Sequence, residues 1–411
     1  MEFEVLGLND DLLAGVRALG YDKPTPVQEQ AIPVALRGDD LLACAQTGTG
    51  KTAAFVLPAM QRIPAEGKIR ALVVTPTREL ATQIEVDALT IGKHTGHRVL
   101  AVYGGVPYVK QLKPLREGVD FLVATPGRLL DLHEKKEIDL SQVEVLVLDE
   151  ADRMLDMGFW PDVRRILRLV PEKRQNMLFS ATLTDDVLQV IGVAVHDPVR
   201  VDVAPSSLPV DAVEQIVYPV NSTQKTELLV ALLNEIDEYR AIVFTRTKQR
   251  ADRVAAALQS SGVKADIMHS DRSQSQRERT LKDFKSGKHA LLVATDVVAR
   301  GIDVESVTHV INYDMPDRPE DYVHRIGRTA RAGETGIAIS LLSHDELEPL
   351  RQIERVVGTV METRDVEGFD YLDRAVPRSD RGSATAAPRS LFSGGVMRRG
   401  RGGRSGRSRK F

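Results

Sequence analysis

A single cysteine, Cys44, stands in the 411 residues, so the chain can form neither an intramolecular disulfide nor a cysteine-based zinc centre. That scarcity fits a reducing cytosol, and a cytoplasmic location is expected. Cys44 itself is expected to pack as a small buried hydrophobe. The cysteine and histidines together outline no metal site, and only His324 falls inside a motif. No run of about 18 apolar residues occurs, which excludes a membrane-spanning helix. Met1-Glu2-Phe3-Glu4 offers neither a basic head nor an apolar stretch, so no secretory leader is expected.

What is present is a soluble composition, 42% hydrophobic and 27% charged, sufficient for about two domains with separate cores. The net charge of −3 conceals an asymmetry. Residues 374–411 hold 11 of the 55 basic residues and one of the 58 acidic ones, leaving 44 basic and 57 acidic elsewhere. An acidic body with a basic tail points to a polyanionic partner, nucleic acid first.

Short apolar runs alternate with amphipathic stretches along the first half. Asp40–Ala45, Ala71–Thr75, Arg98–Tyr103, Phe121–Thr125, Val143–Leu148 and Met177–Ser180 read as strands of a parallel sheet buried on both faces. Thr77–Leu89 and Val163–Leu169 carry helical spacing, the βαβ pattern of an α/β domain. The pattern breaks around Val201–Val213, where Pro205, Ser206, Ser207 and Pro209 read as a linker. A second set of strands (Ala241–Thr245, Ala265–Met268, Ala290–Ala294, Thr308–Asn312, Gly336–Leu342) alternates with helices Gln249–Ser260, Ser273–Lys285 and Pro319–Arg328. The expected organisation is domain 1 over 1–204, a linker over 205–212, domain 2 over 213–362 and a disordered Arg/Gly-rich tail over 363–411.

Ala45-Gln46-Thr47-Gly48-Thr49-Gly50-Lys51-Thr52 follows the first strand and precedes a helix-compatible segment, the context of a phosphate-binding loop. Gly48 and Gly50 let backbone N–H groups turn around phosphate oxygens, Lys51 reaches the β/γ-phosphates and the Thr52 hydroxyl can ligate Mg²⁺. Asp149-Glu150-Ala151-Asp152 ends the strand Val143–Leu148. There Asp149 is placed for a second Mg²⁺ contact and Glu150 to deprotonate water.

With these motifs in order, the sequence closely resembles the DEAD-box RNA helicases of superfamily 2 from about Phe3 to Gly358, and its Arg/Gly tail looks most like the bacterial RhlE branch. The resemblance implies two tandem RecA-like parallel-sheet domains that hydrolyse ATP with Mg²⁺ and locally unwind RNA. It carries over residue by residue. Phe3, Tyr21 and Gln28 fall on the adenine-recognition element. Gln28 offers one donor and one acceptor to the N6/N7 edge of adenine, which guanine mismatches. Pro76, Thr77, Arg78, Gly105, Thr125 and Arg128 are implied RNA-backbone contacts in domain 1. Thr245, Gln274, Arg277, Thr295, Arg300 and Gly301 are their counterparts in domain 2. Asp303 touches ATP; Asp152, Ser180, Thr182 and His324 couple hydrolysis to closure; Arg328 and Arg331 are arginine fingers.

Ala330 departs from the commonest family form, which has glycine there; a helical backbone would tolerate alanine and a positive φ would strain it. Contacts to backbone and 2′-hydroxyls imply RNA preference without sequence specificity, and the tail is expected to tether RNA. Protein partners in ribosome assembly or RNA decay fit the family; a membrane does not. Two rivals remain open: an ATP-gated RNA clamp or chaperone with incidental unwinding, and a DNA translocase of the same superfamily. Intact Glu150, Arg328 and Arg331 argue against the first, and the Phe3–Gln28 element against the second.

Overall fold

The computed structural model describes residues 2–45, 48–183, 187–188, 192, 194–195, 197–203, 212–296, 307–330 and 335–372. Continuous apolar segments form the strands because both faces of each sheet are covered by helices; Phe121–Ala124 and Val145–Leu148, for example, are buried at every position. The first sheet contains β1 (Leu41–Cys44), β2 (Ala71–Val74), β3 (Val99–Val102), β4 (Phe121–Ala124), β5 (Val145–Leu148), β6 (Gln175–Ser180) and β7 (Val199–Asp202). Its order is β3-β4-β2-β5-β6-β1-β7, and every pairing is parallel.

The second sheet holds β8 (Val213–Pro219), β9 (Ala241–Thr245), β10 (Ala265–Met268), β11 (Leu291–Thr295), β12 (His309–Asn312), β13 (Gly336–Leu342) and β14 (Glu362–Thr363). Its order, β10-β11-β9-β12-β13-β8-β14, repeats the first strand for strand, again all parallel. These are two tandem RecA-like units. Gly48–Thr52, Asp149–Asp152 and Ala181–Thr182 lie beyond the carboxyl ends of β1, β5 and β6, where open α/β sheets place ligands.

The sequence reading differs from the structure at the sheet edges. β7 and β8 lie at the two borders of the segment read as a break. Three of the four β7 residues are exposed, and Glu214-Gln215 interrupts the apolar run of β8, so neither shows the continuous apolar signal that marks central strands. The presumed linker centre, residues 204–211, lies outside the described residues.

The tail also begins later than expected. Val366 is buried, with Phe369 and Tyr371 packed against the same core of the second unit. Gln224 holds this segment, its Nε2 donating to the Asp370 carbonyl at 2.8 Å and its Oε1 accepting from the Leu372 N–H at 2.8 Å. Residues 373–411 lie outside the described residues.

Among the described residues, two ion pairs join the units. Arg277 of helix Gln274–Lys285 meets Glu79 of helix Arg78–Ile91 at 2.5 Å, and Arg318 meets Asp156 at 2.6 Å.

Candidate active site and nucleic-acid interface

Helix Lys51–Arg62 starts directly after Gly50, whose φ of +87° only glycine adopts cheaply. A Cβ at Gly50 would also fall 2.4 Å from Gln28 Nε2. Lys51 is 7% exposed, and its ammonium has no hydrogen-bond partner among the described residues. A buried, unpaired cation at a helix N-terminus calls for an anion. Gln46 and Thr47 lie outside the described residues; Ala45, Gly48, Thr49 and Thr52 stand around the same turn.

The Gln28 amide accepts from the Thr25 N–H at 2.9 Å and donates to the Gly50 carbonyl at 3.0 Å. It therefore braces the phosphate loop, leaving one lone pair and one N–H for a base. Tyr21 is 38% exposed, whereas Phe3 is 2% exposed in the core. Phe3 as a nucleotide contact is thus corrected: its ring supports the first helices.

Cys44 is only partly buried, with Sγ 3.6 Å from the Ala181 carbonyl. Burial, with Asp202 and Asp152 nearby, pushes its thiol up from 9.0 to about 11. Its thiolate population at pH 8 is therefore about a hundredfold below that of an unperturbed thiol. Iodoacetamide labelling should be correspondingly slow and should accelerate toward pH 11; labelling that saturates near pH 9 would contradict this.

Asp149 and Glu150 are buried at the tip of β5. Burial pushes the Asp149 carboxyl up to about 6 against the pull of Lys51, with Glu150 raising it further. Burial also opposes the charge on Glu150, yet the Arg153 guanidinium 2.8 Å away, with Lys51 and Arg328, holds that carboxyl below its ordinary range. Arg153 was missed by sequence reasoning; it stands one residue beyond the motif. Glu150 adopts φ +51°, the left-handed region, in which a side chain costs about 1–2 kcal/mol. Such strain is typical where a carboxylate must be aimed.

Mg²⁺ fits this corner. Asp149 is a buried carboxylate lacking a full countercharge, Thr52 supplies a hydroxyl, and the ion characteristically takes its remaining ligands from phosphate oxygens and water.

Three of the four expected coupling residues, Asp152, Ser180 and Thr182, meet, whereas His324 lies in domain 2. Asp152 Oδ2 accepts from the Ala181 N–H (3.1 Å), the Thr182 N–H (3.0 Å) and the Thr182 hydroxyl (3.1 Å). The Asp152 N–H in turn donates to Ser180 Oγ at 3.3 Å. The DEAD helix Ala151–Asp156 and the end of β6 are thereby one hydrogen-bonded body.

From domain 2, Arg328 is 4% exposed, donates from Nε to the His324 carbonyl at 3.2 Å, and its charge reaches Glu150 across the cleft. Arg331, Arg300, Gly301 and Asp303 lie outside the described residues. Arg325 and Asp296 were quoted within motifs but given no role. The buried Arg325 guanidinium forks onto Asp296 at 2.6 and 2.7 Å and also binds Asn312 Oδ1 and the Asp314 carbonyl.

Ala330 has φ +53°, so the glycine-like conformation is present without glycine. Ala330→Gly should stabilise domain 2 by about 1 kcal/mol in urea unfolding; a loss of stability would show the alanine methyl to be better packed than strained.

Among the RNA candidates, Arg78 stands apart. Its half-buried guanidinium makes no ion pair among the described residues, and burial first, then Arg277, disfavour its charge. Gly105, at φ +82°, lets it pass: a Cβ there would fall 2.0 Å from Arg78 Nη1. Pro76 and Thr77 enter the same helix, the Thr77 hydroxyl capping Leu80 N–H.

Six of the expected RNA contacts are buried or turned to internal partners. Arg128 is spent inside domain 1, on Gln111 Oε1 (2.6 Å), the Val106 carbonyl (3.2 Å) and the face of Tyr108 (4.4 Å), because its side chain is enclosed by that loop. Thr245 is fully buried and its hydroxyl donates to Thr247 O. Arg277 bridges to Glu79 rather than facing outward, and Gln274 is buried beside it, donating to Glu278. Thr125 and Thr295 are buried at the ends of their strands.

Arg277→Ala leaves a buried carboxylate uncompensated in the closed arrangement, a cost of about 3 kcal/mol or more. Closure with RNA and an ATP analogue, read by fluorescence transfer between labelled domains, should weaken about a hundredfold. The swap with Glu79→Arg should recover part of it; unchanged closure would make the pair incidental.

The comparisons agree with this geometry. Residues 25–190 match the model for the DEAD/DEAH box helicase and residues 224–333 that for the helicase conserved C-terminal domain. The DEAD-box ATP-dependent RNA helicase CshA of Bacillus cereus is 42% identical over 369 residues, 90% of this chain and 70% of that protein. CshA of Streptococcus pneumoniae is 45% identical over 357 residues, 87% of this chain and 68% of that protein. The structure of S. cerevisiae Dbp5 bound to RNA and ADP BeF3 aligns with a TM-score of 0.80 at 33% identity, covering 89% of this chain and 96% of that one.

Proposed function

We infer the reaction from one premise: this chain belongs to the DEAD-box family and is an ATP-dependent RNA helicase. The observation that carries the assignment into this site is the buried, unpartnered Lys51 ammonium at a helix N-terminus beside Asp149. ATP enters with its phosphates against residues 45–52 and its adenine between Tyr21 and Gln28. Thr52 and Asp149 would hold Mg²⁺, which would supply charge neutralisation on the phosphate oxygens. Glu150 orients and deprotonates the attacking water, and Arg328, with Arg331, faces the γ-phosphate from domain 2.

RNA lies across the strand ends of both units. Arg78 is the domain 1 cation for its backbone, with Thr77 and Gly105 beside it, and Arg300 and Gly301 belong to the domain 2 side. Closure around a bent strand excludes a continuous duplex, and hydrolysis reopens the cleft. Support for this cycle comes from the charge of Arg328 at Glu150, from the Arg277–Glu79 bridge and from the Dbp5 likeness. The Arg/Gly tail beyond residue 372 tethers RNA by backbone electrostatics. It also supports placing the chain beside the RhlE branch, although the relatives at 42–45% identity carry the name CshA. No described helix is long and apolar enough to cross a membrane, which accords with cytoplasmic work beside ribosome-assembly or RNA-decay partners.

Steady-state ATP hydrolysis without nucleic acid, with single-stranded RNA and with single-stranded DNA of the same sequence tests this reading. Stimulation by RNA alone is expected. Equal stimulation by DNA would indicate a translocase; none by either would indicate an RNA clamp.

A further inference from the structure

The two sheets share one strand order, so positions after corresponding strands are topologically equivalent. β1 is followed by helix Lys51–Arg62, opening Lys-Thr; its counterpart β8 is followed by helix Lys225–Glu235, also opening Lys-Thr. Asp149 follows β5, and Asp314 lies two residues beyond the matching β12. Domain 2 therefore repeats the lysine and the aspartate of the nucleotide site. The phosphate cradle is not repeated: where Gly50 has φ +87°, Gln224 has φ −97°, and its side chain is occupied by the chain at 370–372.

The second lysine has acquired internal partners. Lys225 is 2% exposed; its ammonium donates to the Tyr313 carbonyl (2.8 Å) and to Glu346 Oε2 (2.5 Å) and lies 4.0 Å from Asp314 Oδ1. Glu346 Oε1 accepts from the Met315 N–H at 2.9 Å, so lysine and glutamate together pin the turn Tyr313–Met315. That turn holds two others. Asp314 Oδ2 accepts from the Arg246 N–H at 2.8 Å, fixing the loop after β9. The Asp314 carbonyl accepts from Arg325 at 2.7 Å, and Arg325 forks onto Asp296 after β11. Arg250 balances the remaining Asp314 oxygen.

We propose that Lys225 is a positioning residue for RNA engagement. The lysine equivalent to the ATP lysine is turned inward in domain 2, where it holds Asp314 and through it the Arg246 loop and Arg325. The proposal rests on the reading that RNA lies across the strand ends of both units, the end of β9 and its Arg246 loop among them. A lysine in this place binds no nucleotide, since Glu346 supplies the negative charge that phosphate supplies in domain 1.

The test uses the full chain and three variants: Lys225→Met, Lys225→Met with Glu346→Gln, and Arg246→Ala as a direct probe of the loop. Lys225→Met should raise the RNA concentration for half-maximal ATPase by about 10–100-fold. Its RNA-free ATPase and its ATP half-saturation should stay unchanged, while its unfolding temperature falls. The double variant removes both buried charges and should regain the unfolding temperature without regaining RNA coupling; that split separates positioning from mere stability. Recovery of both in the double variant would overturn the proposal. So would an unchanged RNA requirement in Lys225→Met or the double variant beside an impaired Arg246→Ala. A silent Arg246→Ala would remove the RNA reading of the loop itself, and the proposal with it.

Discussion

Replacing Glu150 with glutamine should lower RNA-stimulated ATP turnover by about 10²–10⁴-fold, the range a positioned general base contributes. ATP affinity should change by no more than a few-fold. Glutamine preserves the volume of the side chain and its hydrogen bond from Arg153, so the φ +51° turn and the DEAD helix should survive. What is lost is the ability to take a proton from water. Arg153, Lys51 and Arg328 keep Glu150 ionised despite complete burial. The wild-type base is therefore charged at neutral pH, and the base loss in the variant should be uniform from pH 7 to 8, above the range in which Asp149 titrates. Turnover within tenfold of wild type would assign the proton elsewhere. A collapse of ATP binding would show instead that Glu150 chiefly holds the loop.

Central strands and ligand loops were legible in the sequence, because a strand buried on both faces leaves an uninterrupted apolar run and a phosphate turn demands glycine. β9, β10 and β13 coincide with their expected limits, and Asp152 sits on Ser180–Thr182 as the motifs implied. Edge strands were not legible, since β7 exposes three of its four positions and a two-residue β14 carries no period. Side-chain destinations were less legible still. An arginine in a strand-end motif reads as a phosphate ligand, yet Arg128 and Arg277 are consumed by partners 17 or more residues away in sequence. No local pattern encodes such pairings. The duplicated Lys-Thr after β8 was hidden for the same reason, because only the shared strand order makes Lys225 the counterpart of Lys51.

Arg328→Ala should lower turnover by about 10³-fold or more, as removal of an arginine finger does in related phosphoryl transfers. The residue is enclosed and tied back to the His324 carbonyl, so its guanidinium is aimed before substrate arrives. Because it belongs to the second unit while Glu150 belongs to the first, it completes the site only when the domains meet. Its contribution is realised in the transition state, so affinity for a planar ADP–aluminium fluoride complex should fall far more than affinity for ATP. Glu150→Gln should leave that ratio nearly intact, which separates the two losses of turnover. Arg328→Lys should rescue little, since an ammonium is a point charge without the planar fork. Turnover within tenfold of wild type, or equal weakening of ATP and the planar analogue, would reduce Arg328 to an anchor of its own helix and leave the finger to Arg331.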